Sequence, residues 1–191
     1  MSETRDKRRR KDLDLFVLAL IECGVSAPYA LQTAAGLSPG ATIPALMRLL
    51  EAGFVLQGNP GPRGRADYKI TVAGRRYLKS GWKELIEGGP SGELDADLRV
   101  ALLALFVGGD RGIAKDFLRL TSAHRFESAV KLEEPAESSS LPPLALWYRR
   151  LRSASSEALM KGESAAALAM AKALPRKPSG NQKPGRAASK P

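Results

Sequence analysis

The chain has 191 residues, of which 43% are hydrophobic, and a formal net charge of +10 at neutral pH. That much apolar content excludes wholesale disorder, and the positive balance favours a polyanionic partner, either nucleic acid or an anionic membrane face. The single cysteine, Cys23, excludes an internal disulfide framework and suits a reducing compartment. The charge is unevenly placed. Residues 1–11 carry +4, residues 12–88 only +1, residues 89–174 none, and residues 175–191 carry +5. The excess therefore belongs to the two ends, and the body between them is nearly neutral.

Residues 1–11 read as a basic flexible arm. Arg8 to Lys11 followed by the apolar run Leu15 to Ile21 imitates a secretion signal, but Asp12, Asp14 and Glu22 bracket that run. A cytoplasmic helix explains the same residues better. Helical periodicity begins at Leu13 and continues through Phe16, Val17, Leu20 and Ile21, with Asp12 or Asp14 as the cap and Gly24 as the stop. Cys23 falls among these apolar residues and is expected to be a buried small hydrophobe. A second helix over about Ala27–Ala35 offers Tyr29, Leu31 and Ala34 for burial and closes at Gly36. Ser38 then caps a third helix with Pro39 in its first position. Ile43, Leu46, Met47 and Leu50 are assigned to its core face, Gly53 to its end, and Pro44 is expected to disturb the first turn. The opposite face would hold Gly40, Ala41, Thr42, Ala45 and Arg48, a surface of small, polar or basic residues with no acid.

Residues 54–58 and 67–71 are short strand candidates around a Gly- and Pro-rich connection whose only charges are Arg63 and Arg65. Thr71 can cap a helix carrying Tyr77, Leu78, Trp82, Leu85 and Ile86, ended by Gly88-Gly89-Pro90. Further helices follow. Leu94 to Val107 offers Leu98, Leu102, Leu105 and Phe106; the next, capped by Asp110, offers Ile113, Phe117, Leu118 and Leu120. Residues 133–142 read as a loop. From Pro143 to Leu174 the composition again favours helix, with Leu144, Trp147, Tyr148, Leu151 and Leu159 as anchors and Gly162 as a break. Beyond Pro175 a basic disordered tail is expected.

The predicted fold is mainly α with a small β-hairpin, a winged helix-turn-helix over residues 12–88 followed by a helical region over residues 92–174. Leu37-Ser38-Pro39-Gly40 through Glu51-Ala52-Gly53-Phe54, and then Tyr68-Lys69-Ile70-Thr71-Val72-Ala73-Gly74, resemble the PadR family of bacterial repressors over about residues 13–79. Pro28 and Ile43 depart from the family's usual Gly and aromatic residue. The resemblance implies a transcriptional repressor whose C-terminal helices form a homodimer.

The residues support that expectation on physical grounds. A recognition helix fits the major groove, about 12 Å wide, and reads it from its N-terminal end. Ser38 and Thr42 can bond phosphates or bases, Gly40 and Ala41 permit close approach, and Arg48 can reach phosphate or guanine. Arg63, Arg65 and Lys69 suit phosphates or the minor groove. Leu144, Trp147, Tyr148 and Leu151 are assigned to a dimer interface, which would set two recognition helices about one DNA turn apart. The expected partners are double-stranded DNA and a second copy of the chain, with no membrane. A small-molecule effector is left open. His124 is the lone histidine, so no His pair or His-Cys cluster can hold zinc, and neither a catalytic constellation nor a cofactor is expected. The weak basicity of residues 12–88 keeps a second class in view, namely a winged-helix module that binds protein and has only non-specific DNA affinity.

Overall fold

A computed structural model describes residues 2–58, 67–130 and 143–176. Its elements in chain order are α1 (Ser2–Glu22), α2 (Pro28–Ala35), α3 (Pro39–Glu51), β1 (Val55–Gln57), β2 (Tyr68–Ile70), α4 (Val72–Glu87), α5 (Leu94–Phe106), α6 (Arg111–Val130) and α7 (Pro143–Ala173). The described residues are therefore mainly helical, with one small sheet in which β1 and β2 pair antiparallel. Residues 131–142, which include the expected loop, and 177–191 of the basic tail lie outside the described residues.

Helix α1 organises the rest. Leu15, Val17, Leu18 and Ile21 are buried, and the helix packs on α3, α4, α5 and β2. It corrects the expectation of a free arm, because residues 2–11 continue the same helix. Arg8 explains part of this. Its guanidinium donates to the carbonyls of Gly88 at 2.7 Å, Leu85 at 3.0 Å and also Gly89. Those carbonyls at the end of α4 would otherwise lack partners, and a cation there is favoured by the helix dipole. Lys11 pairs with Glu84 on the same helix. Two positive charges expected to be free are thus engaged by the fold.

Asp12 and Asp14 are accordingly not caps but interior residues of α1. Residues two apart in a helix point to nearly opposite sides, and these two carboxylates meet different elements. Asp12 accepts from Arg99 of α5 at 2.8 Å, and Asp14 accepts two bonds from Arg48 of α3 at 2.5 and 3.0 Å. Arg99 also pairs with Asp95 one turn back.

Several terminators match expectation. Gly36 (φ 65°) and Gly53 (φ 69°) adopt the left-handed backbone that closes α2 and α3. Asp110 accepts the Ile113 amide at 2.9 Å and caps α6. Other expectations need correction. Cys23 is exposed, because it falls in the last unwinding turn rather than on the apolar stripe. Tyr29, Phe106, Ile113 and Leu120 are exposed, while Ala96, Ala101, Ala104 and Ala114 are buried. Helix α7 runs through Gly162 without a break and packs most extensively on α6. At that contact, the hydroxyls of Ser122 and Ser164 lie 2.8 Å apart, and Ser164 also donates to the Ser122 carbonyl at 2.9 Å. Because α5 packs on α1 and α4, and buried residues run continuously from Leu15 to Leu174, the Gly88–Pro90 turn does not interrupt the core.

Burial raises the Asp12 carboxyl above its ordinary value of 3.8, against the opposing attraction of Arg99. A carboxyl raised on folding holds its proton more tightly in the folded state. Its contribution to stability is therefore complete below the ordinary value and is lost as pH climbs through the raised one. Relative to Asp12→Asn, the urea midpoint of the native chain should fall as pH rises across that window, then run parallel above it. A native chain that gained on Asp12→Asn over the same window would show that Arg99 outweighs burial.

Candidate nucleic-acid interface

Helices α2 and α3 are joined by the three residues Gly36, Leu37 and Ser38. Ser38 caps α3 as predicted, its hydroxyl oxygen accepting the Ala41 amide at 3.3 Å. Pro39 occupies the first helical position, where a missing N–H goes unnoticed. The helix continues through Pro44, and its start is tightened by a bond from the Ala41 amide to the Ser38 carbonyl at 3.1 Å.

The orientation of α3 departs from expectation by one residue. Its buried positions are Thr42, Ala45, Leu46 and Leu49; of the expected core face Leu46 is buried and Leu50 half-buried, while Ile43 and Met47 turn outward. Ile43 and Met47 are 52% and 48% exposed. Thr42 is fully buried and donates its hydroxyl to the Ser38 carbonyl at 2.9 Å, so it cannot serve as a contact to DNA. That internal bond removes the cost of burying a hydroxyl. Arg48 is likewise not free, because Asp14 holds it in a two-bond fork. Burial pushes the Asp14 carboxyl up, while its bond to Arg48 raises the guanidinium and keeps it charged. Of the predicted reading residues on α3, Ser38 and Gly40 are exposed and Ala41 is half-buried.

The sheet stands beside the end of α3. Val55 pairs with Ile70, Leu56 with Lys69 and Gln57 with Tyr68. Val55 and Tyr68 face the core while Leu56 and Lys69 face outward, as alternation along a strand requires. The Tyr68 amide also donates to the Ser26 carbonyl at 2.9 Å, tying β2 to the segment between α1 and α2. Arg63 and Arg65 lie outside the described residues.

Thr71 fastens the base of the hairpin. Its hydroxyl donates to the Gly53 carbonyl at 2.8 Å and accepts the Gly74 amide at 3.0 Å, joining the end of α3 to the start of α4. Gly74 approaches so closely that an added Cβ would lie 2.2 Å from the Phe54 carbonyl oxygen. The rings of Phe54 and Tyr77 stack at 4.4 Å across the same junction. On the outer side of α4, Arg75 pairs with Glu22, and Arg76, Lys79 and Lys83 are exposed.

Of the residues assigned to a dimer, Tyr148 and Leu151 are exposed on α7, at 63% and 66%, as is Leu159. The side chains of Leu144 and Trp147 lie outside the described residues. A hollow lined by Arg8, Asp12, Ser91, Glu93, Ala96, Asp97 and Val100 has room for about one water molecule, too little for an organic effector. The buried Oδ1 of Asp12, one of the lining residues, has no hydrogen-bond partner among the described residues. Among the described residues, no group of His, Cys, Asp and Glu could hold a metal ion, and no helix is long and apolar enough to cross a membrane. Compared with known proteins, the chain matches no family model and no curated sequence.

Sequence reasoning missed Ile43 and Met47 as surface residues and Asp14 as the partner of Arg48. One local signal was available, since a threonine four residues after an N-cap can satisfy itself within the helix and so be buried. The Arg48 fork is partly exposed and screened, so Arg48→Met should cost only about 1 kcal/mol in urea unfolding. A loss above about 3 kcal/mol would instead mark it as a buried pair.

Proposed function

We propose that the chain is a winged helix-turn-helix transcription regulator that binds double-stranded DNA as a homodimer, with a PadR-like N-terminal half. The observation that carries this reading is the α2–α3 pair. Its short turn leads into a capped helix whose outward face has small and apolar residues and no acid before Glu51. A hairpin with two arginines in its connecting residues follows directly. In such an arrangement the second helix enters the major groove and the first crosses the backbone, which gives the exposed Tyr29 of α2 a role near phosphate. Ser38 and Gly40 would meet the groove, and Arg63, Arg65 and Lys69 would hold phosphates or the minor groove. Repression and a cytoplasmic location follow from the same reading.

The apolar side chains of Ile43 and Met47 favour one competing reading, a surface for a protein partner, and the same titration decides between them. Duplexes enriched from a random pool by the full-length chain should bind it more tightly than unselected duplexes of equal length. Changing Arg63 and Arg65 to Ala should weaken both and reduce the slope of log K against log salt by about one for each phosphate no longer neutralised. Failure to enrich any sequence would overturn the reading.

For the homodimer, α7 offers Tyr148, Leu151 and Leu159, three large side chains left uncovered among the described residues. Sedimentation of the full chain should give a dimer, and Leu151→Glu with Tyr148→Glu should give a monomer with unchanged helical circular dichroism. A dimer that survives both changes would place the contact on another surface.

A further inference from the structure

The roll of α3 leaves an unusual set of groups to meet a groove. From Pro39 to Leu50, Thr42 is buried with its hydroxyl used internally, and Arg48 is held by Asp14. The remaining outward side chains (Pro39, Ala41, Ile43, Pro44 and Met47) carry no hydrogen-bond donor or strong acceptor. Beyond the Ser38 hydroxyl at its cap, such a face cannot read the amides and carbonyls that distinguish most bases by hydrogen bonding. One feature of the major-groove code is apolar, the C5-methyl group of thymine.

Resting on the DNA-binding reading above, we infer that α3 selects its site by packing Ile43 and Met47 against thymine methyl groups. The two side chains stand four residues apart, one turn along the same face, so they reach neighbouring steps of the groove. Charge favours DNA as the occupant. Lys69 is exposed on the adjoining sheet, and α3 has no acidic side chain before Glu51 at its far end, while the positive excess of the chain lies at its two ends. The width of the patch agrees. Two large side chains on one 13-residue helix make a stripe suited to a groove about 12 Å wide, and fall short of the roughly 800 Å² per partner of a stable protein interface. Specificity would then be carried by apolar contact, with the positive groups supplying affinity that is blind to sequence.

The experiment uses uracil, which differs from thymine only by the missing methyl. The full chain selects duplexes from a random pool, and each thymine of the enriched site is replaced singly by uracil in titrations at one fixed salt concentration. Sites rich in A·T pairs are expected, with two or more thymines at which uracil weakens binding roughly three- to fivefold, the effect of one buried methyl group. The loss at one of those thymines should vanish in Ile43→Ala and at another in Met47→Ala. Both residues are exposed, so both variants should keep the native thermal midpoint. An enriched site indifferent to uracil, or uracil effects unchanged in the two variants, would overturn the inference and leave the DNA-binding reading standing. No enrichment at all would overturn both and assign the face to a protein partner.

Discussion

The setting of the helices about α1 depends on two carboxylates of that helix meeting two guanidiniums from elsewhere. Asp12 and Asp14 both lie in the body of α1, pointing to nearly opposite sides, and each carboxylate is partly desolvated there, a cost that a neighbouring cation offsets in part. Arg99 brings in α5 and Arg48 brings in α3. The apolar contacts of Leu15, Leu18 and Ile21 supply most of the cohesion, since burial is non-directional and scales with area. The ion pairs add what burial lacks, a defined rotation of each neighbouring helix about its own axis. Because α3 could present either of two faces of similar hydrophobicity, that rotation is consequential.

Much of the chain's punctuation was legible. The Ser38 cap with Pro39, the Thr71 and Asp110 caps, and the glycines that end α2 and α3 are local devices, each set by residues within about four positions. The antiparallel pairing of two short strands followed from turn chemistry in the same way. The roll of α3 was not legible, because a count of apolar residues prefers Ile43 and Met47 over Thr42 and Ala45. What decides the matter is Asp14, 34 residues earlier, together with a hydroxyl that satisfies itself. Arg8 illustrates the same limit over 80 residues. A basic run in isolation reads as a solvated arm, and only the open carbonyls at the end of α4 give it a place.

The exposed aromatic and aliphatic residues of the C-terminal helices mark a related limit. In α5 and α6, Ala101, Ala104 and Ala114 are buried, whereas larger residues such as Phe106 and Leu120 are turned outward. Ranking by size finds Leu105, Phe117 and Leu118, which are buried, but also picks Phe106, Ile113 and Leu120, which are not, and passes over the alanines. Packing density favours small residues wherever helices come close, and the larger ones are left for whatever surface lies beyond. The serine pair between α6 and α7 follows the same rule, since each hydroxyl is small enough to sit at the crossing and is satisfied there.

One residue of helical phase separates two sets of positions on α3 that answer to different demands. Thr42, Ala45, Leu46 and Leu49 are bound to the interior, and a change in any of them disturbs the body of the protein. Ile43, Pro44 and Met47 stand outside the buried cluster. Substitutions there are nearly neutral for folding, so a lineage could rewrite what this helix meets without first repairing its stability. The arrangement partitions evolutionary freedom along a single helix, with one set of positions held for architecture and the other released for divergence.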